Sequence, residues 1–133
     1  MADGFDLNRL ILITAVLEKH AGLKIAAFDV FINVSGGFQI NDTAADLAVA
    51  VSIASSFRNR PVSHGMGLLG EISLSGEIRP VSLCGRRIQE FKHSGFNTLV
   101  LPEAEVSEAK AIGFDGTVIG IRTVQDAIDR IFE

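Results

Sequence analysis

Apolar residues recur every three or four positions in five stretches of the chain, separated by short β-branched blocks and glycine turns, a rhythm that predicts alternating helices and strands. The first helical stretch, residues 6–20, carries Leu7, Leu10, Ile11, Ile13, Thr14 and Leu17, with Asp6 as its cap and Gly22 as its stop. Residues 27–34 hold Phe28, Val30, Phe31, Ile32 and Val34 and read as a strand running into the turn Ser35-Gly36-Gly37. The central element is the helix within residues 40–57. Thr43 followed three positions later by Asp46 resembles a capping box, which sets the helix start near Ala44. Beyond it Leu47, Val49, Val51, Ile53, Ala54 and Phe57 leave no broad polar face, so other elements must cover this helix, and the run from Arg58 to Pro61 ends it.

After the central helix, residues 67–75 and 78–81 read as the arms of a β-hairpin turning at Gly76-Glu77. An amphipathic helix over 83–93 follows, stopped by Gly95. Then come a strand at 98–101, a short helix at 106–112 closed by Gly113, and a strand at 117–121. A final helix at 123–132 is capped by Thr123, with Val124, Ala127, Ile128 and Ile131 on one face. Alternation of this kind, without internal repeat, low-complexity run or linker, predicts a single α/β-type layered domain over residues 1–133.

Composition narrows the chemistry. With 47% hydrophobic residues the chain can build a sizeable core, and no apolar run approaches the roughly 18 residues that span a membrane. The N-terminal residues lack the basic-then-apolar pattern of a signal peptide, so the expected location is the cytoplasm. One cysteine, Cys84, excludes an internal disulfide, and the three histidines form no cluster at metal-ligand spacing. His64 reads as a solvated loop residue, and His20 and His93 as neighbours of helix C-termini. Cys84 reads as a small buried hydrophobe, although Arg86 and Arg87 would lower its pKa if it were exposed. There is no G-x-x-x-x-G-K-[ST] loop and no G-x-G-x-x-G between a strand and a helix, which argues against a nucleotide site. A net charge of −4 gives no general attraction to nucleic acid.

Residue order adds more than pattern. The blocks Asn41-Asp42-Thr43-Ala44-Ala45-Asp46-Leu47 and Gly70-Glu71-Ile72-Ser73-Leu74-Ser75-Gly76-Glu77-Ile78-Arg79-Pro80-Val81 resemble the proteolytic domain of Lon. Together with Asn8-Arg9-Leu10, Ala45-Asp46-Leu47-Ala48-Val49-Ala50 and Ser55-Ser56-Phe57-Arg58 they resemble more closely the Lon-like C-terminal domain of the bacterial DNA-repair family RadA (Sms). Ser94-Gly95-Phe96 ahead of Leu101-Pro102 continues the match over nearly the whole chain. The resemblance implies a Lon proteolytic-domain-like fold, with helices packed on a mixed β-sheet and the opening strands truncated ahead of Asp6. It also implies a longer parent whose zinc module and RecA-like ATPase take up zinc and ATP, while this domain holds no cofactor of its own.

In Lon a serine at the start of the central helix is the nucleophile and a lysine after the hairpin is its base, a pair that works because a desolvated lysine can lose its proton near neutral pH. The resemblance assigns these positions to Ala44 and, by ungapped counting from Pro80, to Gly85, so both groups are lost. Thr43 stands one residue early and lacks a lysine partner. The expected function is therefore that of a non-proteolytic domain of a DNA-repair and recombination ATPase, assembling with itself, as a hexameric ring in the parent, and contributing to DNA binding. Alternatives are an active Lon-like serine peptidase and a peptide- or protein-binding module that uses the relict cleft. For DNA, six copies around one axis could concentrate a local patch that a single acidic copy lacks. The expected phosphate contacts are Arg9, Arg58 and Arg87.

Overall fold

The structure, a computed structural model, describes residues 1–132, among which there are five α-helices and seven short strands. Strand β1 is Ala2–Asp3 and helix α1 is Leu7–Ala21. The Asp6 carboxylate accepts from the Arg9 N–H, and Gly22 closes the helix at φ 68°, the left-handed conformation that glycine adopts without a Cβ clash. Strand β2 is only Ile32–Asn33, paired in parallel with β1. The strand predicted over 27–34 is thus mostly not a strand. Phe28 N–H closes a turn on Ile25 C=O, and the partner segment offers just two paired residues, so a β-rich composition has nothing more to pair with.

Helix α2, Asp46–Arg58, is entered through a 3-10 turn at Thr43–Ala45 and ends on Asn59 at φ 53°. The predicted cap is corrected here. The Asp42 carboxylate, not the Thr43 hydroxyl, accepts from the Ala44 N–H, at 3.0 Å. Asp and Thr both serve at this position, and Asp42 lies where its carboxylate reaches the first free N–H groups.

The predicted strand at 67–75 divides. Strand β3, Met66–Leu68, joins β6, Thr98–Pro102, and β7, Thr117–Ile121, in a parallel sheet of order β3-β6-β7. Strand β4, Glu71–Ile72, instead pairs antiparallel with β5, Ile78–Arg79. Between them Gly70 docks on the start of α2: its N–H donates to Ala44 C=O and its C=O accepts from Leu47 N–H, both at 3.1 Å. A Cβ there would lie 2.6 Å from Ile78 Cγ2, so close approach at this join requires glycine. Parallel and antiparallel pairing are both present, but in three small sheets.

Helix α3 is Cys84–His93, α4 is Val106–Ile112 and α5 is Val124–Phe132. The Thr123 hydroxyl accepts from Asp126 N–H at 3.0 Å, as its predicted capping role requires. Alternation along β6 then sorts the layers. Val100 faces a core built with α1, α2 and α5, while Leu99 and Leu101 face a second core built with α3 and α4. The domain is α/β and layered, with helices on both faces of the three-stranded sheet.

Candidate functional site

At the first turn of α2 two arginines meet two aspartates. Asp46 is fully buried, and the Arg9 guanidinium straddles it, with Nε 3.0 and 3.1 Å from the two carboxylate oxygens and Nη2 also on Oδ2. Ile72 N–H donates to the same carboxylate at 3.0 Å, and Arg9 Nη2 donates to Ile72 C=O at 3.2 Å. One ion pair therefore joins α1, α2 and the hairpin. Hydrogen bonding to Asp46 raises the Arg9 pKa further, so the guanidinium stays charged. The capping-box role predicted for Asp46 is replaced by this one, because the folded hairpin brings an N–H and α1 a guanidinium to a side chain that local sequence places at a helix end.

Arg87, on α3, donates from Nη1 to Asp42 Oδ2 at 2.6 Å and from Nε to Ser82 C=O at 2.7 Å. The Ala44 N–H, and then Arg87, hold the Asp42 carboxyl below its ordinary value of 3.8. The contribution of this cap is therefore complete above 3.8 and disappears as pH falls through the lowered folded value. Asp42→Ala is expected to cost about 0.5–2 kcal/mol at neutral pH. Comparing urea midpoints of the two proteins at pH 7 and in acid well below 3.8 checks this; a gap that stays constant would contradict it.

Asp42 and Arg87 form one side of a cleft of about 380 Å³. Its apolar walls are Ala44, Ala45, Ala48, Leu68, Leu69, Phe91 and Phe96, with Glu90 and Ser94 at the rim. Ala44 is 3% exposed and packs in the α3–α4 core. Gly85 does not face this cleft: a Cβ there would meet Glu108 Oε1 at 2.8 Å and Ile112 Cδ1 at 3.6 Å, on α4. Residues two apart on a helix point about 200° apart. Arg87, with Phe91 and Ser94 at helical spacing from it, is what α3 turns towards Ala44. That phase was readable from the sequence; counting alone put the wrong residue there.

Of the three arginines expected to contact phosphate, Arg9 and Arg87 are thus paired with internal carboxylates. Arg58 is exposed at the far end of α2, about 18 Å from Asp46 by helical rise, and forms no ion pair among the described residues. The structure does not gather the three into one patch. His64 is exposed, and His20 and His93 lie in the last turns of α1 and α3.

Cys84 is 6% exposed, close to Glu105 and Glu108. Burial, then a hydrogen bond to Glu105, pushes its thiol up to about 12. Arg87 acts the other way but is outweighed, so the neighbouring arginines do not activate the thiol. Glu105 was not singled out by sequence; it is 7% exposed and accepts from Val81 N–H at 3.3 Å, tying the end of the hairpin to the turn before α4. Iodoacetamide at pH 8 is expected to alkylate the native chain at least about tenfold more slowly than the urea-unfolded chain. Equal rates would show an accessible, ionisable thiol.

A family profile described as subunit ChlI of Mg-chelatase matches residues 11–105. The chain is 42% identical over 129 residues to the DNA repair protein RadA of Halalkalibacterium halodurans, 97% of this chain and 28% of that protein. It is 39% identical over 128 residues to DNA repair protein RadA of Escherichia coli, 96% of this chain and 27% of that one. With the protein of the same description from Pseudomonas aeruginosa it shares 38% over 130 residues, 98% of this chain and 28% of the relative. The chain spans little more than a quarter of the length of these relatives. No helix of the described residues is long and apolar enough to cross a membrane.

Proposed function

This chain belongs to the RadA group of DNA repair proteins, within the domain family described as subunit ChlI of Mg-chelatase, and from that premise we propose that it is a non-proteolytic, Lon-like assembly domain that contributes to DNA binding. The observation that carries the first half is the cleft. Where the Lon resemblance assigns a nucleophile stands buried Ala44, the side chain that α3 turns towards it is an arginine tied to Asp42, and no lysine lines the space among the described residues. An alkyl group and a permanently charged guanidinium supply neither a nucleophile nor a base. On this reading ATP and zinc act in other parts of a RadA-type parent, working in the cytoplasm.

Self-assembly is supported by apolar side chains left in solvent on one side. Leu7, Ile11 and Phe28 are 51, 56 and 63% exposed around one groove, and Phe28 continues into a second groove with Phe31 and Phe57. Assembly multiplies any weak phosphate contact, and of the three candidate arginines Arg58, beside Phe57, is the one that forms no ion pair among the described residues. Arg9 and Arg87 serve the same function indirectly, by holding the start of α2.

Sedimentation velocity and duplex titrations across a salt series test both halves. Ile11→Glu with Phe28→Glu is expected to shift the chain towards monomer with unchanged circular dichroism. Arg58→Ala is expected to lower the slope of log K against log salt by roughly 1 for each copy that touches DNA. Peptidase turnover abolished by Thr43→Ala or Ser94→Ala would overturn the non-proteolytic reading. An unchanged salt slope would remove Arg58 from the DNA contact.

A further inference from the structure

Away from the cleft, three groups of the kinds that ligate metals converge where α3 begins against α4. Cys84 is the first residue of α3, Glu105 ends the turn that leads into α4, and Glu108 stands in the first turn of α4. One ligand atom from each lies within 4.8 Å of the others. None of the three lines the cleft beside Ala44 or the apolar grooves around Phe28. Gly85 makes room for the convergence, since a Cβ there would lie 2.8 Å from Glu108 Oε1 and displace that carboxylate.

The charge at this point is not answered by the protein. Asp46 and Glu105 are the two buried acidic side chains among the described residues, and Asp46 has the Arg9 guanidinium. Glu105 is 7% exposed, and the donors that reach it are Val81 N–H and the Cys84 thiol, neither of them a cation. Neither Glu105 nor Glu108 enters an ion pair among the described residues, and the nearby Arg87 is committed to Asp42 and Ser82 C=O. A carboxylate withdrawn from water is costly without a positive partner, and a second carboxylate and a thiol beside it add donors to the same point.

We propose that Cys84, Glu105 and Glu108 bind one divalent cation of the zinc type, with water on the exposed Glu108 side completing four ligands. One sulfur with two carboxylates suits zinc, whereas magnesium and calcium take oxygen ligands throughout. Zinc holds sulfur at about 2.3 Å and carboxylate oxygen at about 2.0–2.2 Å, so a tetrahedron sets its donors roughly 3.5 Å apart. Closing from 4.8 Å to that spacing takes roughly 1–1.5 Å of side-chain movement. On binding, the Cys84 S–H bond breaks, the Sγ–metal bond forms and the proton passes to solvent, with no change of oxidation state. The cation supplies the charge that Glu105 lacks and ties the start of α3 to α4. This departs from the expectation that the domain holds no cofactor of its own, and it stands or falls independently of assembly and DNA contact.

The test titrates the metal-free 133-residue chain with Co2+, a coloured substitute for zinc, and reads the near-ultraviolet sulfur-to-cobalt charge-transfer band. The band is expected to saturate at one ion per chain, to vanish when Zn2+ is added and to persist in excess Mg2+. Cys84→Ser should abolish it. Glu108→Gln, an exposed change, and Glu105→Gln, which keeps an oxygen for Val81 N–H, should each weaken Co2+ binding at least about tenfold with unchanged circular dichroism. Metal held by surface histidines gives no such band, since even His93 on the same helix lies about 14 Å from Cys84 by helical rise. Absence of the band up to about 1 mM Co2+ overturns the proposal. A band unweakened by either glutamate substitution overturns the ligand set, and displacement of Co2+ by Mg2+ overturns the assignment to a zinc-type ion.

Discussion

Asp46→Ala is expected to cost about 3–5 kcal/mol, the penalty for breaking a buried charge pair from one side. The carboxylate is fully buried and accepts from both the Arg9 guanidinium and Ile72 N–H. Its removal leaves the guanidinium, itself only 24% exposed, without its counter-ion and with only Ile72 C=O to donate to, and leaves the hairpin N–H with no acceptor. Against a total stability of about 5–15 kcal/mol this is a large share. Arg9→Lys should recover only part of what Arg9→Ala loses, because an ammonium cannot make the forked contact or reach Ile72 C=O at the same time. Arg9→Met combined with Asp46→Leu should be far less damaging than either Asp46→Ala or Arg9→Ala, since it leaves no lone buried charge. Urea unfolding with an unchanged m-value measures all four. A loss below about 1 kcal/mol for Asp46→Ala would mean that the pair is worth no more than one on the surface.

Leu47→Ala comes next, at about 2–5 kcal/mol. Leu47 has no exposed surface and belongs to the core that α1, α2 and α5 share, while its N–H is held by Gly70 C=O. Backbone anchoring on one side and packed helices on the others prevent the site from collapsing around the missing methyl groups, so the cavity remains and adds to the lost transfer energy. Leu74, 75% exposed at the hairpin turn, provides a control of the same residue type. Leu74→Ala should stay within about 0.5 kcal/mol. If the two substitutions cost the same, the packing described for α2 is wrong.

These two neighbouring residues also divide what the chain states openly from what it hides. Leu47 belongs to an apolar repeat, and its burial was legible because a helix with no broad polar face must be covered. The same periodicity marks α1, α3, α4 and α5, and Gly22, Gly113 and Thr123 mark ends that the structure keeps. All of these are local signals, set by the turn of a helix and the conformations of single residues. Strand pairing is different in kind. The 27–34 segment has strand composition yet pairs at two residues, and the 67–75 segment splits at Gly70 to serve two sheets, because a strand exists only where a distant partner offers its backbone.

Charges follow the second rule. Sequence set the nearly whole-chain match to RadA and the alanine at position 44, but it offers Arg9 and Arg87 as phosphate contacts, when each spends its charge on an aspartate tens of residues away. It also placed Gly85 in the cleft by counting, where helical phase puts Arg87. Local sequence determined the helices, the ends marked by Gly22, Gly113 and Thr123, and the alanine at position 44. Only tertiary structure decided which carboxylate each arginine meets and which acids gather at Cys84, since those outcomes depend on distances between segments that no local spacing encodes.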